Sequence, residues 1–469
     1  MHETRRAGGG RAWPRRGVLV VLLLVLGTAA CSRRHPDVLI ILVDTLRADR
    51  LGPWGGPSGL TPFMDSLAAS GVVFTNAYST SSWTNPAVAS LFTSRYPSQH
   101  HVSRFDSKLA DDEVTLAERL GAGGWRRVGF LANFRLMAQL GFGQGFDAWF
   151  PRMMGTKTHA HRLAQDAVRF YDRQLAPHAW SRWTRRPLLL YLHFMDPHAV
   201  YDPPEAVRRT LVGPPPAGVD PAVAVAKLMD FTRWSDLSPP ELSYLQKLYD
   251  GEVAGLDIEL ARLFRRLGRR GLLDQTIVVL TADHGEEFGE HGGMQHGTAL
   301  YEESVHIPLL ITGPGLPAGR VVTDDVSLVD VAPTLLALLG LPAESRFEGR
   351  SLLERLAPHG GSSQALFELL PVGATLDVRR HDAGIVQDRM AVLTPGPARG
   401  ASEIETFDLA QDPHELLPDP PALAEQGAAL RARLAERRAD LATRAGVAET
   451  VPLDQSTRDR LRALGYTTD

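Results

Sequence analysis

Three residues that can bind a metal ion follow apolar runs of strand length in this chain. Asp44 ends the run DVLIILVD, and Asp283 and His284 follow the run TIVVLTA. Carboxylate oxygens and imidazole nitrogens are common ligands of divalent cations. A strand-end aspartate is also an ordinary loop or cap residue, and a solvated loop could contain Asp-His-Gly. These residues alone therefore leave a metal site and a polar loop open.

Thr84 is a candidate nucleophile. It opens the stretch TNPAVASLFT, in which Asn85 suits a helix N-cap and Pro86 suits the first helical position. This pattern predicts that Thr84 lies just before a helix N-terminus, where unbonded N–H groups and the helix dipole favour an anion. A tetrahedral ester could dock there with its central atom facing the Thr84 hydroxyl. A capped helix start without any chemical role predicts the same residues.

The elements that must position these residues alternate between strands and helices. Apolar runs recur at 37–44, 187–194, 276–285 and 305–315, with helical stretches between them at 114–124 and 244–271. This alternation predicts an α/β fold with a mostly parallel sheet that is covered on both faces. Ligand sites of such sheets lie at the carboxyl ends of the strands, which is where Asp44, His198 and Asp283 fall. After residue 342 the strand pattern weakens and a polar helix follows over about 421–446, which predicts a smaller C-terminal α+β subdomain.

The composition is that of a globular protein and gives no indication of nucleic-acid binding. The chain has 469 residues, 44% of them hydrophobic, and a formal net charge of −4. Its basic residues are scattered along the sequence rather than arranged in a stripe. Cys31 is the only cysteine. An intramolecular disulfide and a thiolate metal site are therefore excluded, as is a cysteine nucleophile in the folded body.

The N-terminal sequence has the features of an export signal. Five arginines precede the apolar run GVLVVLLLVLGTAA, which ends in small residues directly before Cys31. The run of about 14 residues is shorter than the roughly 20 that cross a bilayer as a helix. We predict a lipoprotein-type signal peptide over 1–30 and a tether over 31–36, with lipid on the Cys31 thiol. An uncleaved membrane anchor is the alternative, and both readings place the protein in the periplasm or at the cell surface, attached to the membrane.

The order of several motifs resembles the sulfatase family of the alkaline-phosphatase superfamily. These motifs are DVLIILVD, TPFMDSLAASGVVFTNAYS, TNPAVASLFTSRYP, LHFMDPH, TADHGEEFGEHG, DVAPTLLALLGLP and ETFDLAQDPHE, between about residues 37 and 415. The resemblance implies an alkaline-phosphatase-like α/β/α sandwich with a mostly parallel central sheet. The catalytic domain would span 37–342, and a C-terminal subdomain with a helical tail would span 343–469.

The sequence departs from the family at the position of its nucleophile. Sulfatases of the family carry Cys or Ser in the pattern C/S-x-P-x-R, and this residue is oxidised to formylglycine. The matching residues here begin with Thr84 and end with Val88. Oxidation of threonine would give a ketone rather than an aldehyde, so no formylglycine is expected.

The resemblance implies a metal site with an altered ligand set. The family's Asp-Asp metal pair reads Asp44-Thr45 here, and its Asp-Asn pair reads Asp283-His284. An imidazole at the metal favours Zn²⁺ or Mn²⁺, with Ca²⁺ as the alternative that oxygen ligands would suit. Asp44, Asp283 and His284 would hold the ion, with Thr84 Oγ as the fourth ligand. The ion would activate the Thr84 hydroxyl as the nucleophile.

Three further residues receive roles from the resemblance. His198 matches the family histidine that contacts the substrate anion, and it could donate a hydrogen bond or protonate the leaving group. His296 falls near a substrate-binding lysine of sulfatases and would bind substrate or help to hold a second ion. Asn133, in the segment FLANFRL, is a further candidate contact for the substrate anion.

These features predict an exported, metal-dependent ester hydrolase of the sulfatase family that favours phosphoesters, by hydrolysis or by transfer of the phosphoryl group. Hydrolysis of sulfuric esters, as in arylsulfatases, is the alternative, because sulfate and phosphate share tetrahedral geometry. A catalytically inactive binding protein on the same scaffold is a third hypothesis. The substrate would be a small-molecule, lipid-headgroup or glycan ester, and the sequence does not specify which. It does not specify the oligomeric state either.

Overall fold

An eight-stranded sheet forms the centre of the protein in a computed structural model of the chain. The structure describes residues 35–152, 158–176, 186–356, 364–370, 380–396, 404–453, 455 and 458–459. The predicted signal peptide and Cys31 lie outside the described residues. Pro36–Asp469 form one compact unit, which is distinct from Met1–His35.

Strands supply a large sheet, a smaller one and two short pairs. The strands are β1 (Asp37–Val43), β2 (Val72–Tyr78), β3 (Ser107–Lys108), β4 (Arg126–Leu131), β5 (Ala148–Pro151), β6 (Leu188–Phe194), β7 (Thr276–Ala282), β8 (Glu287–Phe288), β9 (Met294–Gln295), β10 (His306–Thr312), β11 (Arg320–Ser327), β12 (Gln364–Glu368), β13 (His381–Gln387), β14 (Met390–Pro395), β15 (Glu405–Asp408) and β16 (Glu449–Thr450).

Helices connect most of these strands. They are α1 (Pro62–Ala69), α2 (Thr84–Thr93), α3 (Pro97–His100), α4 (Leu116–Ala122), α5 (Ala160–Phe170), α6 (Glu205–Val207), α7 (Pro221–Leu228), α8 (Pro239–Gly268), α9 (Glu302–Val305), α10 (Val331–Leu338) and α11 (Ala424–Thr443). Among the described residues, no helix combines the length and hydrophobicity that a membrane crossing requires.

The large sheet has the strand order β11-β2-β10-β7-β1-β6-β4-β5. β10 runs antiparallel to its neighbours β2 and β7, whereas the other described pairings of this sheet are parallel. The predicted mostly parallel sheet is therefore confirmed. The run at 305–315 was predicted as one of its strands, and it is the strand that reverses direction.

The middle of the sheet is covered on both faces. All seven residues of β1 are buried, although successive side chains of a strand point to opposite faces. Only a sheet with helices packed on both faces can bury such a run. This agrees with the predicted α/β/α sandwich and explains why β1 is apolar without alternation.

The long helix α8 packs against the helices α1, α5 and α7. Ser238 and Glu241 form a capping box at its start, which satisfies the first free N–H groups of the helix. Further along, the Asp257 carboxylate accepts hydrogen bonds from the N–H groups of Phe63 and Met64, at 3.0 and 2.8 Å. Asp257 thus fixes the start of α1 against α8.

The C-terminal part of the chain contains the antiparallel sheet β12-β13-β14-β15. The helix predicted over about 421–446 is α11, whose Leu430, Leu434 and Leu441 are buried with Ile385 and Val392 of the small sheet. This sheet-and-helix layer is the predicted smaller α+β subdomain.

Candidate active site

The candidate active site lies at the carboxyl ends of β1 and β7, which are neighbours in the sheet. Val43 pairs with Ala282 at the end of the ladder, so the residues that follow, Asp44 and Asp283, leave the sheet side by side. Both carboxylates and the imidazole of His284 are completely buried. Their ligand atoms lie within 4.8 Å of one another.

Backbone geometry holds these residues in place. Thr45 has a left-handed conformation with φ of 59°, and its N–H donates to Asp283 Oδ1 at 3.3 Å. The N–H of His284 donates to the same oxygen at 3.0 Å. A side chain at Gly285 would collide with the carbonyl oxygen of Glu303, so only glycine allows the chain to pass this closely.

One oxygen of each carboxylate is directed toward a shared space. Among the described residues, the buried atoms Asp44 Oδ1 and Asp283 Oδ2 have no hydrogen-bond partner. They lie 3.6 and 3.5 Å from His284 Nε2. Leaving two buried carboxylate oxygens without partners is costly unless a cation neutralises them. The donor set of two carboxylates and one imidazole therefore fits a divalent metal ion.

The tautomer of His284 also suits a metal ligand. Its Nδ1–H donates to the carbonyl oxygen of Gly285 at 2.9 Å, which leaves Nε2 with a lone pair. Burial lowers the pKa of His284, so the ring stays neutral. Hydrogen bonding of one ring nitrogen to a backbone carbonyl is a common way to orient a metal-binding histidine.

The electrostatics of the two buried carboxylates also favour a bound cation. Burial raises the pKa of Asp283, and the adjacent charge of Asp44 raises it further. Burial opposes ionisation of Asp44 too, but the hydrogen bond with His193 and the nearby His198 hold the pKa of Asp44 well below its ordinary value. The two buried carboxylates repel each other, and a bound cation would relieve that repulsion.

Thr84 lies beside this ligand cluster. Its Oγ1 is 3.4 Å from His284 Nε2 and 3.5 Å from Asp44 Oδ2. The predicted Asn85 cap is wrong: α2 begins at Thr84 itself, after an extended Trp83. Pro86 is the third residue of the helix, where the missing N–H costs nothing because the first N–H groups of a helix have no partner within it. Thr84 is thus the first residue of the helix and directs its hydroxyl at the cluster.

Two further residues fix the orientation of Asp44. Asn133 Nδ2 donates to Asp44 Oδ2 at 2.7 Å, and His193 Nε2 lies 3.3 Å from the same oxygen. Tyr191 in turn contacts His193 Nδ1 at 3.0 Å. Asn133 is therefore a positioning residue, and its predicted contact with the substrate stays a prediction. His193 was missed, although a histidine inside the apolar strand LLLYLHF is a usable signal.

His198 and His296 extend the site into a row of imidazoles. The ring centroid of His296 lies 4.5 Å from that of His284 and 5.0 Å from that of His198. Glu286 Oε1 lies 2.8 Å from His296 Nδ1. The structure therefore brings every predicted site residue into one buried cluster.

The hydrogen bond of His198 limits its predicted role. Nδ1 contacts the carbonyl oxygen of Ala199 at 2.6 Å, so Nδ1 carries the proton and Nε2 of the neutral ring is an acceptor. Burial lowers the pKa of His198 to about 4. His198 must therefore gain a proton before it can donate one at Nε2, and its predicted role toward the substrate anion and the leaving group stays a prediction.

Arg135 is a cation of the site that the sequence interpretation missed. Its side chain is 6% exposed, and its guanidinium lies over the Phe105 ring at 5.1 Å. Burial is the main cause of the low pKa values of His284 and His296. The positive charge of Arg135 lowers both pKa values further. The signal was present in FLANFRL, where Arg135 follows Asn133 by two residues.

Comparison with known proteins decides the family. The sulfatase family model matches residues 36–341, which covers the large sheet and every residue of the cluster. The chain belongs to the sulfatase family. A second model, described as N-sulphoglucosamine sulphohydrolase, C-terminal, matches residues 289–440. The protein is a hydrolase of the alkaline-phosphatase superfamily, and enzymes of the sulfatase family typically use a divalent metal.

Curated relatives include named sulfatases. A protein called "Sulfatase" from Formosa agariphila is 28% identical over 378 residues, which cover 70% of this chain and 73% of that protein. Arylsulfatase K from Bos taurus is 34% identical over 182 residues, which cover 38% of this chain and 33% of that protein. The chain thus matches only about a third of the latter's length.

Solved structures with the same fold act on different esters. A phosphonate monoester hydrolase of Agrobacterium radiobacter is 24% identical, with a TM-score of 0.69, and the alignment covers 90% of this chain and 98% of that one. The protein BT4656, solved in complex with its substrate D-glucosamine-2-N,6-O-disulfate, is 20% identical, with a TM-score of 0.68 and coverage of 87% and 98%. These similarities confirm the fold.

Proposed function

We propose that the protein is a metal-dependent phosphoester hydrolase or phosphoryl transferase with Thr84 as its nucleophile. The observation that carries this proposal is the position of Thr84 Oγ1, 3.4 Å from His284 Nε2 and 3.5 Å from Asp44 Oδ2 in a buried cluster. The only cysteine of the chain is Cys31, so a cysteine-derived formylglycine is not available. Thr84 offers the hydroxyl group that lies within 3.5 Å of both His284 and Asp44.

Asp44, Asp283 and His284 would hold the metal, with Thr84 at its edge. When bound, a Zn²⁺ or Mn²⁺ ion would supply Lewis acidity that lowers the pKa of a nearby hydroxyl and neutralises charge on the ester. The imidazole ligand favours these ions over Ca²⁺, which prefers oxygen ligands throughout.

Residues of the chain can move the Thr84 proton and bind the negative charge of the phosphoryl group. The Thr84 oxygen forms a bond to phosphorus, and the bond from phosphorus to the leaving oxygen breaks with its electron pair. His198 Nε2, an acceptor in its resting state, takes the Thr84 proton, and the leaving oxygen on the opposite side of phosphorus is protonated by solvent. Arg135 supplies positive charge for the phosphoryl oxygens. Water, or an acceptor alcohol in a transferase, then attacks phosphorus and releases Thr84.

Sulfuric ester hydrolysis is the second candidate, because the family model and several relatives are those of sulfatases. The same Thr84 oxygen would attack sulfur. Phosphoryl transfer is favoured here by the imidazole in the ligand set and by the similarity to phosphonate monoester hydrolases.

Matched substrates and one residue test the proposal. The full chain, purified without chelators, is assayed on p-nitrophenyl esters of phosphate, as monoester and diester, of phenylphosphonate and of sulfate. We expect phosphorus esters to be turned over faster than sulfate, and Thr84→Ala to lose about 10³-fold or more in kcat. Thr84→Ser, which keeps the hydroxyl, is the matched control and should retain most activity. Acid-quenched wild type should carry phosphate on Thr84 by mass spectrometry. Full activity of Thr84→Ala would overturn the nucleophile, and faster sulfate turnover would overturn the substrate class.

We also propose that the protein is exported and attached to the membrane through its N-terminal segment. The support is in the sequence, where an arginine-rich start, a short apolar run and Cys31 follow one another. Labelling with a radioactive or clickable fatty acid tests lipid on Cys31, and Cys31→Ser should abolish the label. Fractionation of wild-type cells then reports attachment independently of the label.

A further inference from the structure

A group of arginines lines an open groove on the surface, where α5 and α8 end. The groove has a volume of about 450 Å³ and is lined by Gln165, Val168, Arg169, Arg266, Arg269 and Arg270. We name its four arginines the basal arginine patch. They come from the last turns of α5 and α8 and from the two residues that follow α8.

The patch has an excess of positive charge. Arg270 is paired with Asp172, with two nitrogen–oxygen distances of 2.6 Å. The structure shows no ion pair between Arg169, Arg266 or Arg269 and any other described residue, and Arg169 and Arg269 are exposed. In a chain with a net charge of −4, three arginines around one groove that form no ion pair with a described carboxylate make a local site for anions.

The patch lies at the amino ends of the strands of the large sheet, whereas the active site lies at their carboxyl ends. The active-site residues follow the carboxyl ends of β1 and β7, whereas α8 ends where the chain turns back to the amino end of β7. In that turn the carbonyl oxygen of Gln275 accepts from the N–H of Asp37 at 2.9 Å. The first residue of β1 therefore lies beside the turn that connects α8, which carries part of the patch, to β7.

The chain enters the fold at the same edge. Trp125 Nε1 donates to the carbonyl oxygen of Pro36 at 3.0 Å, which fixes the entry point. Only five residues, 31–35, separate Pro36 from the end of the apolar run, and a fully extended stretch of that length spans at most about 18 Å. If the membrane attachment proposed above holds, this edge of the sheet must stay within that distance of the lipid headgroups.

We propose that the basal arginine patch binds the anionic headgroups of the membrane to which the N-terminal segment is attached. Arginine suits this partner because its planar guanidinium pairs with phosphate oxygens. Anchor and patch together would hold the active-site edge away from the bilayer, open to substrates in the surrounding solution. This inference rests on the proposed membrane attachment and not on the proposed chemistry.

Vesicle binding tests the patch without the N-terminal segment. The unit Pro36–Asp469 contains every described strand and every buried core residue, so it carries a complete core of its own. It is mixed with phosphatidylcholine vesicles with or without about 30% phosphatidylglycerol and floated on a gradient. We expect binding to the anionic vesicles alone, and its loss at about 0.5 M salt.

The variant Arg266→Ser/Arg269→Ser should weaken this binding about 25-fold, because each basic residue near an anionic surface contributes about a factor of five. Arg209→Ser/Arg433→Ser removes the same net charge elsewhere on the surface and should change binding less than about two-fold. Unfolding midpoints of both variants confirm that they fold. Equal losses in the two variants, or wild-type binding to a soluble polyanion such as polyphosphate with none to vesicles, would overturn the proposal.

The full chain in lipid nanodiscs tests the orientation. Hydrogen exchange in segments 162–176 and 262–275 should be slower in nanodiscs with phosphatidylglycerol than with phosphatidylcholine alone, and Arg266→Ser/Arg269→Ser should remove the difference. Equal exchange in the two lipids would overturn the patch while leaving the anchor intact. A full chain that does not enter nanodiscs would instead contradict the attachment, and the vesicle result would then decide the patch alone.

Discussion

Asn133 donates a hydrogen bond from Nδ2 to Oδ2 of Asp44 over 2.7 Å, and this contact determines which oxygen of Asp44 can act as a ligand. With Oδ2 engaged, Oδ1 is the oxygen that lies 3.6 Å from His284 Nε2. The Asn133 side chain is itself fixed, because its Oδ1 accepts from the N–H of Arg135 at 2.9 Å. A positioning contact of this kind belongs to the second layer of a metal site.

Asn133→Ala should weaken metal binding about 10-fold to 100-fold, because Asp44 loses one of the two partners that orient it. Calorimetric titration of the metal-free full chain with Zn²⁺ and with Mn²⁺ measures the change. Asn76→Ala is the matched control, since Asn76 Nδ2 donates to the carbonyl oxygen of Thr323 at 2.7 Å, in the exposed pairing of β2 with the outer strand β11. If Asn133→Ala binds metal as the wild type does, the positioning role is wrong.

Asp283→Asn should have opposite effects on two properties of the cluster. It should lower the free-energy cost of burying two adjacent carboxyl groups without a metal, and it should weaken metal binding. An asparagine can keep the hydrogen bonds from Thr45 and His284 at Oδ1, but it needs neither a buried charge beside Asp44 nor an added proton in the folded state. We therefore expect the metal-free variant to unfold at a higher temperature than metal-free wild type, with a free energy of unfolding that is larger by roughly 1 kcal/mol or more. The wild type should gain stability when Zn²⁺ or Mn²⁺ is added, and the variant should gain little.

Thermal unfolding with and without EDTA provides the four values that this comparison needs. Thr61→Val, which alters a hydroxyl outside the cluster, serves as a control that should keep the metal-dependent gain. A metal-free Asp283→Asn less stable than metal-free wild type would contradict the repulsion between Asp44 and Asp283.

Arg135→Gln should reduce kcat/KM by about 10²-fold, because the site loses its buried positive charge for the substrate anion. Arg135→Lys keeps the charge and should lose less. The inhibition constant of inorganic phosphate should rise in parallel with the loss, which a purely structural role would not produce. Phe105→Leu changes the ring under the guanidinium and reports the contribution of packing alone. Unchanged phosphate inhibition in Arg135→Gln would exclude Arg135 from anion binding.

The strand-end residues could be predicted because their chemistry is local. Asp44 and Asp283 follow long apolar runs, and the carboxyl ends of parallel strands share one edge of a sheet. The contacts of Asp44 with Asn133 and His193 could not be predicted in the same way. They depend on the placement of β6 beside β1 and of β4 beside β6, and the partners lie 89 and 149 residues away in sequence.

The strands that the sequence interpretation did not identify lie near the ends of the large sheet. β11 is half exposed and contains Asp324 and Asp325 within RVVTDDVS, so it lacks the continuous apolar run that marked β1 and β7. Strands at a sheet edge face solvent and can accept such residues. The basal arginine patch was hidden for a related reason, since Arg169 and Arg266 are far apart in sequence and meet only where α5 and α8 end.

Asp257 should make the stability of the fold depend on pH between about 4 and 6. Burial raises the pKa of Asp257 from 3.8 to about 6, even though the N–H groups of Met64 and Phe63 favour its charged form. Because the folded pKa lies above the unfolded value, the folded state binds more protons in this interval, and its contribution to stability is lost as pH rises toward 6. The asparagine of Asp257→Asn cannot ionise, so the substitution should be more destabilising at pH 4 than at pH 7, with a difference of at most about 3 kcal/mol.

Urea unfolding of Asp257→Asn and of the wild type at both pH values measures this difference. Asp220→Asn, at an exposed residue that caps α7 through the N–H groups of Ala222 and Val223, is the matched control. An Asp257→Asn effect that is equal at the two pH values would show that Asp257 is ionised throughout, and that its hydrogen bonds to α1 outweigh the cost of its burial.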